Sequence, residues 1–222
     1  MSWNPDEHYK SRTVAAEYDD SRFSHVPGRV FNFLDKRLIV KCFSALPEGA
    51  MIADAPSGTG RLAEALLDAG YRVHGFDISE AMLGVAQQRL RAHGGNFTCE
   101  VANLKERPSS KPIYDGALCA RVLMHFPLDQ QIEFLTGVVA LSRSVVVINH
   151  GLDSPYQRFR RRLKRLFGDR HTPASNPISN LQITTLLREA GLREVTRHRL
   201  FPLISEAVYI VAERVDAVPV RA

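Results

Sequence analysis

Long apolar runs, paired cysteines and a secretion signal are all missing from this chain of 222 residues. No apolar run approaches the roughly 18–20 residues that a membrane-spanning helix needs. The opening residues, MSWNPDEHYKSRT, are polar and do not have the charged-then-apolar layout of a signal peptide. Cys42, Cys99 and Cys119 lie far apart without a CxxC pair, which disfavours a disulfide framework or a zinc site. These absences predict one globular domain in the cytoplasm, with no bound metal.

Positive charge is not spread evenly along the chain. The formal net charge is +5, yet residues 156–171 hold seven Arg or Lys and one Asp, a local balance of +6. The rest of the chain therefore carries +5 − 6, or −1. A protein that is basic in one segment alone is not typical of nucleic-acid binding, so nucleic acid is the less favoured partner.

The basic segment itself has a helical pattern. Apolar residues of 156–167 fall on one stripe, and arginines that include Arg160, Arg161 and Arg162 crowd the remainder. A basic amphipathic helix of this kind suits an anionic membrane surface or an amphiphilic, acidic small molecule. It also suits a helix that packs on the core with a solvated basic face. The first interpretation places the protein at the inner membrane face as a peripheral protein.

Strand-like and helix-like segments alternate from residue 50 onwards. Apolar runs at 50–55, 71–77, 96–102, 113–120 and 144–150 are separated by amphipathic stretches, and Ser79 is the expected N-cap of one helix. This alternation predicts an α/β fold with a doubly wound, mostly parallel sheet. Two further strand-like runs, 193–201 and 206–215, are close enough to pair antiparallel at one edge of that sheet.

The turn PSGTG follows the first predicted strand, at the strand end where doubly wound sheets bind ligands. Gly58 and Gly60 would let the backbone approach a ligand closely, although a simple strand-to-helix turn has the same pattern. GTGRLA also satisfies the dinucleotide pattern G-x-G-x-x-G/A. Asp54, just before the turn, would repel a pyrophosphate but suits the ammonium and sulfonium of S-adenosylmethionine. Asp77, which ends the next strand, can accept hydrogen bonds from ribose hydroxyls.

The segments DAPSGTGRLAEAL and VHGFDISEAMLGVAQQR resemble class I S-adenosylmethionine-dependent methyltransferases. The resemblance covers about residues 15–212 and is greatest to the small-molecule branch that includes quinone-biosynthesis-type enzymes. It implies a seven-stranded sheet with an antiparallel C-terminal edge hairpin. Residues 1–46 would form a helical lid or substrate segment. Residues 47–222 would form the methyltransferase domain, with the basic insertion at about 154–178.

The resemblance also implies a set of cofactor contacts. Asp54 and the Gly58–Gly60 turn would surround the methionine end of S-adenosylmethionine, and Asp77 would hold its ribose. Asn103 stands where the family usually has an Asp for the adenine amino group, and Glu100 is the alternative registration. The other expected cofactor contacts are Tyr18 as a lid residue, Ile78 and Met82 beside the adenine, and Pro56, Leu104 and Ala120.

The methyl acceptor would approach beyond the fourth strand, in ALCARVLMHFP. The [DN]-P-P-[YF] signature of enzymes that methylate nucleobase or glutamine amines is absent, which favours a small-molecule or lipid-like acceptor. Arg121 is a candidate acceptor contact, as Arg160, Arg161 and Arg162 are at the surface. His125 and His150 are candidate bases, and each also suits a structural role. The alternatives are an RNA methyltransferase, a non-catalytic cofactor-binding protein and, less favoured, a nicotinamide-dependent oxidoreductase.

Overall fold

A seven-stranded sheet forms the centre of the molecule. The computed structural model describes residues 25–106, 112–153, 176–200 and 206–215, and in addition Tyr156, Arg158, Phe159 and Arg162. The strands are β1 (Met51–Asp54), β2 (Arg72–Asp77), β3 (Phe97–Val101), β4 (Tyr114–Cys119), β5 (Ser142–Gly151), β6 (Leu192–Arg199) and β7 (Ala207–Arg214). Their spatial order is β3-β2-β1-β4-β5-β7-β6. The first five strands in this order, from β3 through β2, β1 and β4 to β5, are parallel to one another. This arrangement confirms the predicted doubly wound sheet.

Helices cover both faces of the sheet. They are α1 (Val26–Cys42), α2 (Arg61–Asp68), α3 (Glu80–Leu90), α4 (Leu128–Leu141) and α5 (Asn180–Glu189). Apolar side chains of α1, α2 and α3 form one core with the sheet, and those of α4 and α5 form a second core on its other face. Both cores explain why the central strands are apolar throughout rather than alternating.

The two C-terminal strands form the predicted antiparallel hairpin. Strand β7 is antiparallel to both β5 and β6, so it lies inside the sheet and β6 is the edge strand. The burial of the two strands agrees with these positions, because β7 is mostly buried whereas β6 is mostly exposed. The expected sheet edge is therefore confirmed.

Local sequence signals explain where α3 and α5 begin. The hydroxyl of Ser79 accepts a hydrogen bond from the Met82 N–H at 3.2 Å, as predicted for an N-cap. Ser179 and Gln182 form a reciprocal capping box at the start of α5. In the described ranges, no helix combines the length and the apolar character that crossing a bilayer requires.

Candidate active site

A cavity of about 1020 Å³, open mouth included, lies at the carboxyl ends of the parallel strands. Its walls come from the segments that follow β1, β2, β3 and β4. The sequence-predicted residues that line it are Asp54, Pro56, Gly58, Asp77, Ile78, Met82, Asn103, Leu104, Ala120, Arg121 and His125. The topology thus brings together residues that the sequence separates by up to 71 positions, from Asp54 to His125.

Asp77 closes β2 and is held in place by backbone donors. Its Oδ2 accepts from the Gly58 N–H at 2.8 Å and its Oδ1 from the Ser79 N–H at 2.9 Å. Burial raises the pKa of this carboxyl, and the backbone hydrogen bonds act in the opposite direction. The Ile78 backbone is a third donor, and because a carboxylate offers about four acceptor positions, the side chain can still accept from a ligand hydroxyl.

Asp54 closes β1 and is almost fully buried, with 1% of its surface exposed. The Ser57 hydroxyl donates to its Oδ2 at 3.1 Å. The pKa of Asp54 is raised to about 7, because burial, together with the neighbouring charge of Asp77, outweighs the opposing effects of the Ser57 hydrogen bond and of Arg61. A bound cation would favour the charged form. The position therefore suits an ammonium group.

The two glycines of the turn have different roles. Gly58 has φ +54°, and a Cβ built on it would meet nothing within 4 Å, so its backbone can face a ligand. Gly60, the other glycine expected near a ligand, is not among the residues that line the cavity. A Cβ on Gly60 would come within 2.8 Å of the Leu90 side chain and 3.0 Å of that of Ala86. Gly60 therefore allows α2 to begin directly against α3.

Asn103 is in the cavity wall, whereas Glu100 is not. The Asn103 Oδ1 accepts from the Lys105 N–H at 3.2 Å, and its amide donates to Glu106 at 2.9 Å, which fixes the loop after β3. The loop rests directly on α4, because a Cβ on Gly137 would overlap the Leu104 carbonyl oxygen. The geometry favours Asn103 over Glu100 as the polar group at this end of the cavity.

The two candidate histidines lie in different surroundings. His125 ends a short 3-10 helix, Leu123–His125, and lines the cavity. His150 is fully buried and does not line it, with its ring nitrogens 3.0 Å from the Gly151 carbonyl oxygen and 2.9 Å from Gln131 Oε1. Burial lowers the pKa of His150 to about 4, so the ring is neutral at pH 7. Of the two candidate bases, only His125 thus lines the cavity.

A cluster of charged residues beside the cavity was missed at the sequence level. Arg61 Nη2 lies 2.6 Å from Asp35 Oδ2, and its Nη1 donates to Asn32 at 2.6 Å. The Tyr209 hydroxyl also donates to Asp35. Arg121 Nη1 lies 4.0 Å from Asp35 Oδ2. The available signal was an acid at position 35 in the apolar stripe of α1, four residues before the fully buried Ile39.

Several of the expected contacts cannot be placed in the cavity. Tyr18, Arg160 and Arg161 lie outside the described residues. Arg162 is helical and exposed. Tyr156 and Phe159, also in the basic segment, are 53% and 65% exposed.

Known proteins are similar to this chain in sequence and in fold. The family model described as "Methyltransferase domain" matches residues 52–144, which run from β1 to the start of β5 and include the lining residues described above. A magnesium-protoporphyrin O-methyltransferase of Synechocystis is 31% identical over 104 residues, 46% of this chain and 44% of that protein. A ubiquinone biosynthesis O-methyltransferase of Alkalilimnicola ehrlichii is 32% identical over 123 residues, 53% of this chain and 48% of that protein. The chain thus matches less than half the length of these curated relatives.

The crystal structure of magnesium protoporphyrin IX methyltransferase from Synechocystis, with bound S-adenosylhomocysteine, has the same fold. Its TM-score is 0.76 at 19% identity, over 94% of this chain and 97% of that one. The matched family model, the order of the strands and the acids that end β1 and β2 all point to the same kind of protein. Residues 52–144 thus match a methyltransferase domain, and the chain is similar in sequence and in fold to class I S-adenosylmethionine-dependent methyltransferases.

Proposed function

We propose that the protein transfers a methyl group from S-adenosylmethionine to a small-molecule acceptor. The observation that carries this proposal is the pair of buried acids at the ends of adjacent strands, Asp54 on β1 and Asp77 on β2. Because β1 and β2 are neighbouring strands, one cofactor could place its amino group at Asp54 and its ribose diol at Asp77. The sequence relatives, which are O-methyltransferases by name, support the same reaction class.

The order of the strands also orders the ligand. Asn103 after β3, Asp77 after β2 and Asp54 after β1 would meet adenine, ribose and ammonium in turn. S-adenosylmethionine supplies an electrophilic sulfonium methyl, which passes to the acceptor nucleophile and leaves S-adenosylhomocysteine. Residues after β4, on the far side of β1, then face the acceptor. Catalysis would come mainly from holding the two reactants in line.

His125 is the proposed base for an acceptor that must lose a proton. It lines the cavity after β4, and histidine can accept a proton near neutral pH. His125→Gln keeps a polar side chain of similar reach and removes the basic ring nitrogen. We expect this variant to bind S-adenosylhomocysteine normally and to lose methyl transfer to hydroxyl acceptors.

Isothermal titration with S-adenosylhomocysteine, NADH and NADPH tests the proposed cofactor. We expect micromolar binding of S-adenosylhomocysteine and none of either nicotinamide, because the buried carboxylate of Asp54 repels a pyrophosphate. Binding of a nicotinamide alone would support an oxidoreductase instead. Cofactor binding without turnover over a broad acceptor panel would support a non-catalytic protein.

We also propose that the basic segment, residues 156–167, contacts an anionic membrane surface at the inner membrane face. The exposed aromatic rings of Tyr156 and Phe159 beside the exposed Arg158 and Arg162 support this contact. The test is co-sedimentation with phosphatidylglycerol vesicles. Replacing Arg160, Arg161 and Arg162 by Gln should weaken binding, and vesicle binding that does not change would contradict the proposal.

Residues 1–46 are proposed to cover the acceptor side of the cavity. Within this segment, α1 supplies Asp35 to the charged cluster beside the cavity, which supports the proposal. The remaining residues, 47–222, would then form the methyltransferase domain proper.

A further inference from the structure

Two arginines line the cavity and share one acid. Arg61 and Arg121 are both part of the wall. Asp35, which is fully buried, lies 2.6 Å from the Arg61 guanidinium and 4.0 Å from that of Arg121. The three residues come from α2, the segment after β4, and α1. A charged cluster assembled from three separate elements is part of the cavity's construction, and not a chance pair on one helix.

The cluster is held rigidly from behind the wall. The Tyr209 hydroxyl on β7 donates to Asp35, and Asn32 accepts from Arg61 at 2.6 Å. These two contacts hold the Arg61 guanidinium in position. Only 7% of the surface of Arg61 is exposed, and the residue lines the cavity. A guanidinium has five N–H donors in a planar fork, and Arg61 uses donors on both Nη atoms for Asn32 and Asp35, so its remaining N–H groups would meet a ligand carboxylate. A fixed fork loses little freedom when it binds such a group.

Arg121 occupies the acceptor side of the cavity. It follows β4, which neighbours β1 on the side away from β2. In the proposed order of the cofactor, from Asn103 past Asp77 to Asp54, Arg121 comes next along the strand ends, on the side proposed for the acceptor. The backbone of Arg121 has φ +63°, in the left-handed region that residues other than glycine seldom adopt. Such strain occurs mainly where a ligand site requires it.

Apolar side chains also form part of the cavity wall. Leu62, Val122, Phe126 and Phe134 all line the cavity, and the Lys105 ammonium lies 4.3 Å from the centre of the Phe126 ring. The cavity thus combines an apolar, partly aromatic surface with a cationic end. This combination fits a molecule with an apolar body and an acidic group.

We propose that Arg61 and Arg121 bind a carboxylate of the methyl acceptor, so that the enzyme selects acidic small molecules with an apolar body. This inference rests on the proposed methyl transfer and adds the chemical class of its acceptor. Asp35 is a positioning residue that orients both guanidiniums. The two arginines bind the carboxylate and take no part in bond formation. The methyl group still passes from the sulfonium to the acceptor nucleophile, as in the proposed reaction.

The test uses benzoate and benzamide, which have the same shape and differ in charge. Protein saturated with S-adenosylhomocysteine is titrated with each, and the arginine Nε–H resonances are followed by NMR. We expect benzoate to shift them saturably and to bind at least about tenfold more tightly than benzamide. Arg121→Gln should remove this preference. Arg143→Gln is the matched control, because Arg143 is exposed at the opposite end of β5 and its loss should change nothing.

Arg61 needs a milder substitution, because it is buried against Asp35. Arg61→Lys keeps the charge and removes the fork, and we expect it to weaken benzoate at least about threefold with the fold intact by circular dichroism. Equal binding of benzoate and benzamide to the saturated protein would overturn the proposal. So would a loss of S-adenosylhomocysteine affinity in Arg121→Gln, because the arginine would then hold the cofactor's own carboxylate. Absence of S-adenosylhomocysteine binding to the parent protein would instead refute the proposed function, and the acceptor site with it.

Discussion

The substitution Asp54→Asn should stabilise the free protein at neutral and alkaline pH while it weakens cofactor binding. Asp54 is 1% exposed, and burial raises its pKa from 3.8 to about 7. Above pH 7 the folded protein must therefore keep a charge in a poorly solvated place. Asn has nearly the same shape and is neutral at every pH, so it removes that cost. The Ser57 hydroxyl can still donate to the amide oxygen.

The size of the effect depends on pH. A carboxyl whose pKa is raised on folding binds its proton more tightly in the folded state. Its contribution to stability is therefore present at low pH and is lost as the pH rises from 3.8 to about 7. Each pH unit within this window corresponds to about 1.4 kcal/mol. Between pH 5 and pH 8 the free energy of unfolding of the parent protein should thus fall by about 3 kcal/mol because of Asp54. The Asp54→Asn variant should not show this loss.

Urea unfolding of the cofactor-free proteins at pH 5 and pH 8 measures this difference directly. We expect the free energy of unfolding of Asp54→Asn, relative to the parent, to increase by about 3 kcal/mol from the lower to the higher pH. Asp129→Asn is the matched control, because Asp129 is exposed at the start of α4. A relative stability of Asp54→Asn that is the same at both pH values would refute the reasoning. The same variant should bind S-adenosylhomocysteine at least about tenfold more weakly, because its ammonium loses a charged partner.

Three further substitutions, with Gly84→Ala as a control, test other parts of the structure. Asp77→Ala should weaken S-adenosylhomocysteine binding at least tenfold, about 1.4 kcal/mol by calorimetry, and unchanged affinity would remove Asp77 from the ribose. Gly137→Ala should displace the Leu104 carbonyl and lower cofactor affinity, whereas Gly84→Ala, a helical glycine with open space, should raise the melting temperature only. Cofactor affinity equal to the parent in Gly137→Ala would contradict the close packing. Gly60→Ala should lower the melting temperature, because its Cβ would meet Leu90, and an unchanged value would count against that contact.

Sequence reasoning predicted the fold well because each of its signals is local. Apolar periodicity predicted the strands. In a parallel sheet the carboxyl ends of the strands lie at one edge, so the last residue of each predicted strand was expected there. Asp54 and Asp77 therefore pointed to one edge, and both line the cavity there. The hairpin of β6 and β7 followed from two nearby apolar runs. Nothing more than chain order and periodicity was needed for these predictions.

The parts that sequence reasoning missed depend on packing between distant elements. Asp35 lies 26 residues from Arg61 and 174 residues from Tyr209, and no short motif joins them. His150 ends a strand beside the site, yet its ring packs on Gln131 of α4 instead of facing the cavity. Gly60 belongs to the glycine turn, but its lack of a side chain serves the contact with α3. In each case the neighbour that decides the role comes from a different helix or strand.

A crystal structure of the complex with S-adenosylhomocysteine would test the central claim most directly. That claim is the order of the ligand along the strand ends, with adenine at Asn103, ribose at Asp77 and the amino group at Asp54. We predict that both ribose hydroxyls lie within hydrogen-bonding distance of the Asp77 carboxylate, and that the sulfur faces the segment that begins at Arg121. Binding in the reverse direction, or outside this cavity, would contradict the account.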